Sequence, residues 1–262
     1  MSGTLPKNLK FLIFDWNFNQ KIEPYSLPEN LRILKFGQCF NEKIESNTLP
    51  ENLKILTFGW HFDQKIGPNT LPKNLTNLTF GYSFNQKIES NTLPKNLTSL
   101  TFGCSFNQKI EPNTLPENLA SLTFGDRFNQ KIEPNTLSEK LITLTFGCKF
   151  NQIIEPIILS SNLKNINFNW TSLGKHIPIQ HYIEIVNNIP SYYQVVLLVC
   201  NNNFNDSAPK WPIHVVNYRE HEWSSEIYEF YDKYKHPKYD SVTILYNKKT
   251  YQSYSSAKSA IK

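Results

Sequence analysis

The side chains able to do chemistry are few, and their spacing does not suit it. Histidines stand at His61, His176, His181, His214, His221 and His236. No pair sits in an H-E-x-x-H arrangement, which would put two imidazoles on one helical face around a zinc ion. The cysteines Cys39, Cys104, Cys148 and Cys200 form no C-x-x-C pair, so a closed zinc site has no ligand set. His214, His221 and Glu222 lie close in sequence, with no further ligand to complete a metal centre. There is no G-x-S-x-G elbow and no phosphate-binding glycine loop. The expectation is a chain with no catalytic residues, no cofactor and no metal.

The elements that carry these residues are short and periodic. Leu5, Leu27, Leu49, Leu71, Leu93, Leu115, Leu137 and Leu159 are spaced by 22 residues. Phe14, Phe36, Phe58, Phe80, Phe102, Phe124, Phe146 and Phe168 recur in the same register. The chain therefore holds eight units, the last one degraded, with the consensus LPxNLxxLxFGxxFNQKIxxNT. In the unit from Leu49, the residues Leu53, Leu56 and Phe58 follow L-x-x-L-x-F, the alternation of a short strand with one buried face. Gly59 follows the strand, where a positive φ would let the chain turn. Pro50 keeps the corner out of a helix. Phe62 and Ile66 point back into the core. A lone coil of this size cannot offset its ordering entropy, so neighbouring coils must stack and pair their strands as a parallel ladder.

Several columns run along such a stack. Asn19, Asn41, Asn85, Asn107, Asn129 and Asn151, with Asp63 in line, read as a side-chain ladder that satisfies turn amides. Asn8, Asn30, Asn52, Asn74, Asn96, Asn118 and Asn162 read the same way, with Lys140 intruding. The Lys21 column, two residues before the Glu23 column, reads as a solvated face of exposed ion pairs.

The run FNQKIEPNTLP at Phe106 to Pro116 closely resembles the FNIP repeat, known from social amoebae and giant amoebal viruses and related to leucine-rich repeats. The resemblance covers about residues 4–170. It implies a mainly β, leucine-rich-repeat-like solenoid of eight 22-residue coils with a parallel strand ladder. In this family the array often follows an F-box; here the first unit begins at Thr4, which leaves no room for one. Residues 174–262 lose the period and hold 11 of the 13 tyrosines. Strands are expected at 193–200, 213–218 and 242–246, helices at 223–234 and 253–261, and a turn at 247–249. These make an irregular α+β C-terminal cap beyond a 4–173 solenoid.

A non-enzymatic protein-interaction platform is the expected function, with an unknown protein, of the host cell in a viral setting, as the partner. The candidate contact residues stand after the strand, where identity varies inside an otherwise strict repeat: Trp16, Trp60, His61, Tyr82, Asp126, Arg127 and Trp170. Aromatic residues of this kind are enriched in interface hot spots. Two rival readings are self-association through the open N-terminal coil, where Phe11 and Ile13 take outward positions and Asp15 replaces the turn glycine, and a ligand or enzymatic pocket in the C-terminal segment. Cys104 and Cys148 share a column two coils apart, roughly 10 Å at 4.8 Å per strand, too far for a disulfide. A formal charge of +5 from 27 basic and 22 acidic side chains does not suggest nucleic acid. No signal peptide or membrane span is legible, which places the chain inside the cell and in the cytoplasm.

Overall fold

A computed structural model describes residues 5–171 and four further strand segments, with side chains through Phe168. Each of the first seven repeats forms one three- or four-residue strand and three tight turns. The strands are β1 (Phe11–Ile13), β2 (Ile33–Lys35), β3 (Ile55–Thr57), β4 (Asn77–Thr79), β5 (Ser99–Thr101), β6 (Ser121–Thr123) and β7 (Thr143–Phe146). Then come β8 (Asn165–Thr171), β9 (Gln194–Cys200), β10 (His214–Asn217), β11 (Ile244–Tyr246) and β12 (Lys249–Tyr251). They form one sheet in chain order, parallel from β1 to β11, with β12 antiparallel to β11. The register advances by one repeat per strand: Phe11 lies beside Ile33, Ile33 beside Ile55, and Ile55 beside Asn77.

The strands expected at 193–200, 213–218 and 242–246 appear as β9, β10 and β11. Lys249, expected in a turn, instead opens β12 opposite Tyr246. The helices expected at 223–234 and 253–261 lie outside the described residues.

The interior is built from the consensus apolar positions. Leu53, Leu56, Phe58, Phe62 and Ile66 are buried together with their counterparts in the other coils, in one continuous core. The two phenylalanines of each coil stack at 3.8–3.9 Å, as in Phe58 with Phe62. Each ring also lies over its counterpart in the next coil, at 5.7 Å for Phe58 with Phe80 and 6.2 Å for Phe62 with Phe84. Two parallel spines of offset aromatic rings thus run along the stack, the arrangement that ring quadrupoles favour.

The glycine column works differently from the sequence expectation. None of Gly37, Gly59, Gly81, Gly103, Gly125 and Gly147 takes a positive φ. Glycine is required there by close approach: a Cβ on Gly59 would lie 1.8 Å from the carbonyl oxygen of Gly37 in the preceding coil. The positive φ angles fall one turn later, at Tyr25, Asn47, Asn69, Asn91, Asn113 and Asn135, between 59° and 64°. These are third residues of four-residue turns such as Glu45–Ser46–Asn47–Thr48, closed by bonds such as Thr48 N–H to the Glu45 carbonyl at 3.2 Å. Asn tolerates the left-handed region where most residues do not. In the seventh coil Ile157 stands in that place, and a β-branched residue cannot follow. The chain there takes a right-handed 3₁₀ turn, Pro156–Ile158, instead.

The first Asn column is the expected ladder. Asn41 N–H donates to Asn19 Oδ1 at 2.8 Å, Asp63 N–H to Asn41 at 2.9 Å, and Asn85 N–H to Asp63 at 2.8 Å, and the pattern runs on to Asn151. Most of these oxygens also accept a glutamine Nε2 from the next coil, Gln64 on Asn41 at 3.1 Å being the first. The second column departs from expectation. Its side chains satisfy no turn amide; they donate to carbonyls of the preceding coil, Asn52 Nδ2 to Glu29 at 3.0 Å and Asn74 to Glu51 at 3.0 Å. The intruding Lys140 reaches Asn118 Oδ1 at 2.7 Å. The Lys and Glu columns pair as expected, within a coil for Lys43 with Glu45 at 3.0 Å. Gly67 leaves the third coil without its own Glu, and Lys65 there reaches Glu89 of the next at 3.5 Å.

Candidate functional site

Two surfaces of the stack are not dictated by packing: the outward side of the strand ladder, and the ridge formed by the turn that follows it. On the ridge, Trp16 is 67% exposed, Trp60 48% and Tyr82 38%. Trp60 and Tyr82 stack face to face at 4.3 Å and 11°. Gln38, between Trp16 and Trp60, takes the Trp60 backbone N–H on its Oε1 at 2.9 Å, which fixes the turn beneath the indole. His61 is exposed beside Trp60.

Further along the ridge the chemistry changes. The Tyr82 hydroxyl donates to the Cys104 sulfur, and the Cys104 thiol donates to Asp126 Oδ2 at 3.5 Å. Burial pushes the Cys104 thiol up from its ordinary value; the Tyr82 hydrogen bond and Arg127 oppose this, and the Asp126 carboxylate adds to it. The Tyr82 hydroxyl is raised as well, chiefly by its bond to Cys104. A thiol held protonated is the opposite of an activated nucleophile. Asp126 is half-buried in this chain of bonds and Arg127 is exposed next to it. Cys39 and Cys104 are free thiols, and the Cys148 thiol donates to the Asp126 carbonyl at 3.9 Å.

The seven sequence candidates therefore separate. Trp16, Trp60, His61 and Tyr82 share the ridge of coils one to four. Asp126 and Arg127 lie two coils beyond Tyr82. Trp170 is not on the ridge: Asn169 stands where earlier coils have glycine, the strand does not turn, and Trp170 lies inside β8 with its backbone beside Val199 of β9. Its side chain is outside the described residues, as are those of His176, His181, His214, His221, Glu222 and His236. Among the described residues no group of three His, Cys, Asp or Glu side chains could hold a metal ion.

Single-unit reading missed a division of the strand face. Outward positions carry Phe11, Ile33 and Ile55 in the first three coils, then Asn77, Ser99, Ser121 and Thr143. Phe11 is 61% and Ile13 69% exposed. Comparing one position across all units is the signal that would have found this.

Stacked coils with a parallel ladder, one strand per repeat and an apolar spine define a leucine-rich-repeat-like solenoid. The FNIP Repeat model matches residues 2–39, 40–83, 62–105 and 106–149, more than half of the chain. The chain belongs to the FNIP repeat family. A comparison with curated proteins gives no match. Among solved structures the chain is similar to the crystal structure of CroV588, a circular leucine-rich-repeat protein from a giant virus, at 35% identity and a TM-score of 0.59. That likeness covers 82% of this chain and 32% of the other, so the chain spans about a third of that protein's length.

Proposed function

We propose that this chain is a non-enzymatic protein-interaction platform whose contact surface is the strand face of the first three coils together with the aromatic ridge beside it. One observation carries the reading. On an identical backbone, the outward strand position carries Phe11, Ile33 and Ile55 in coils one to three, exposed in the first and half-buried in the next two, where coils four to seven carry Asn, Ser and Thr. Packing cannot be the reason, because the later coils fold the same way without them. Exposed aromatic clusters of this kind mark association sites. The partner is a protein, of the host cell in a viral setting. An intracellular, reducing compartment belongs to the same proposal, supported by the free thiols of Cys39 and Cys104. Among the described residues no helix is long and apolar enough to cross a membrane.

The test is affinity capture from amoebal lysate with the intact chain and with a Trp16→Ala/Trp60→Ala/Tyr82→Ala variant of unchanged circular dichroism. A species captured by the first and lost from the second supports the platform. Identical capture by both moves the contact surface elsewhere and overturns the reading.

Self-association through the first coil is the second reading. It is favoured by Leu5, Leu9, Leu12, Phe14 and Phe18, which are only partly buried at that end. A molecular mass that rises with concentration would support it over a monomeric platform.

A further inference from the structure

Resting on the platform reading, we propose that the partner segment seated on the first three coils is acidic and apolar: Asp and Glu interspersed with Leu or Phe.

The apolar half of the argument is the column Phe11, Ile33, Ile55. Strand pairing places these side by side, each one strand spacing from the next. The charged half is the residue immediately before each of them, Lys10, Arg32 and Lys54, together with Lys35, which pairs in register with Ile13. No Asp or Glu occurs at 10–13, 32–35 or 54–57. Among the described residues, all ion pairs lie on the separate Lys21 column, and Lys10, Lys35 and Lys54 take part in none. Arg32 spends one nitrogen on the Asn52 carbonyl at 2.8 Å and keeps further donors.

The fold does not ask for these cations. The same positions hold Thr76, Thr98, Ala120 and Ile142 before the strand in coils four to seven, with Lys164 in the eighth, and Thr79, Thr101, Thr123 and Thr145 within it. Only in the first three coils do unpaired cations stand beside the apolar column, since Lys164 precedes the polar Asn165, and that pairing of charge with Phe11, Ile33 and Ile55 is complementary to carboxylates carried on an apolar segment. Such complementarity acts mainly on partner choice and association rate, and it weakens with salt. A nucleic-acid strand would satisfy the cations and leave Phe11, Ile33 and Ile55 facing phosphate.

The experiment uses the full chain and fluorescence polarisation. The probes are labelled peptides of roughly eight residues, enough to cross three coils at about 4.8 Å per strand. One alternates Asp and Glu with Leu and Phe; in the second, Lys replaces the acids; in the third, Ser does. An oligothymidylate is the fourth probe. The expected result is acidic-peptide binding at least about tenfold tighter than to the others, with the preference shrinking between about 0.05 and 0.5 M salt. A Lys10→Thr/Arg32→Thr/Lys35→Thr/Lys54→Thr variant should lose the preference, and Ile33→Ser/Ile55→Ser should weaken both acidic and Ser peptides. Both variants use residue types found on the strand face of later coils, and each must keep the wild-type urea midpoint. Equal binding of all three peptides, tighter binding of the oligonucleotide, an unchanged preference in the cation variant, or binding of no probe overturns the acidic assignment. The lysate capture judges the platform separately: it can succeed while every peptide here fails.

Discussion

The backbone N–H of Asn107 donates to Oδ1 of Asn85, 22 residues earlier, at 2.9 Å, and Gln108 Nε2 shares the same oxygen at 3.2 Å. One side-chain oxygen thus ties two groups of the next coil. Replacing Asn85 by Leu removes the acceptor of both bonds, and at roughly 0.5–1.5 kcal/mol per bond the loss should be about 1–3 kcal/mol. Asn85→Asp should be near neutral, because Asp63 already performs this task for Asn85 and Gln86. Urea midpoints of the two variants check this. Hydrogen exchange should show the loss concentrated at coils four and five, since a repeat stack is stabilised through neighbours.

Two glycines should behave oppositely on replacement by Ala. A Cβ on Gly81 would meet the Gly59 carbonyl oxygen at 1.7 Å, backbone against backbone with nothing able to yield. Gly81→Ala should cost ~3 kcal/mol or more. At Gly67 the nearest atom is Thr70 Oγ1 at 3.5 Å, an ordinary contact, and φ is not positive. Gly67→Ala should stabilise by about 0.4–1 kcal/mol through the unfolded chain. Thermal unfolding of both variants decides it.

Tyr25 holds φ at 61° where five later coils use Asn. Its side chain is exposed, so little packing offsets the left-handed backbone. Tyr25→Asn should raise stability by about 0.5–1 kcal/mol, and Tyr25→Val should lower it. Denaturant titration is the readout.

Cys104 gives a pH signature. Its thiol is raised by burial first and then by Asp126. A raised folded-state value means that the neutral thiol contributes stability below the unfolded thiol's pKa, and that this is lost as pH rises through the folded value. Alkylation of Cys104, followed by peptide mass spectrometry, should set in only above the ordinary thiol range. Asp126→Asn should move that onset to lower pH. An onset unchanged by Asp126→Asn would remove the carboxylate from the account.

Much of the fold is legible in the sequence because a 22-residue period forces each position to meet its own copies. Leu56, Phe58 and Phe62 declare the core by their spacing, and the Asn19 column declares its ladder. Gly59 and Asn47 are harder. Both types permit a left-handed backbone, and the sequence alone favoured the glycine. Only the approach of Gly37's carbonyl shows that Gly59 is there for lack of a Cβ, which leaves the positive φ to Asn47. Trp170 is off the ridge because β8 runs on through Asn169 to Thr171, where the interior coils have a glycine pressed against the coil before. The Trp16, Trp60 and Tyr82 ridge was readable as variation within a strict pattern. The apolar column Phe11, Ile33, Ile55 was not, since Ile in a strand also satisfies β propensity.

Asp15 stands at the glycine position of the first coil, and its Oδ1 accepts the Asn17 N–H at 2.6 Å. Each later glycine needs its bare α-carbon because the coil before it presses close. By the same geometry, the Asp15 side chain fills the space that a preceding coil would need in this register. This bears on how such an array changes length over generations. Duplicating an interior unit copies a glycine and yields another stackable coil. Duplicating the first unit would plant a carboxylate inside the stack, against a carbonyl. An interior unit therefore tolerates copying, and the unit that carries Asp15 does not.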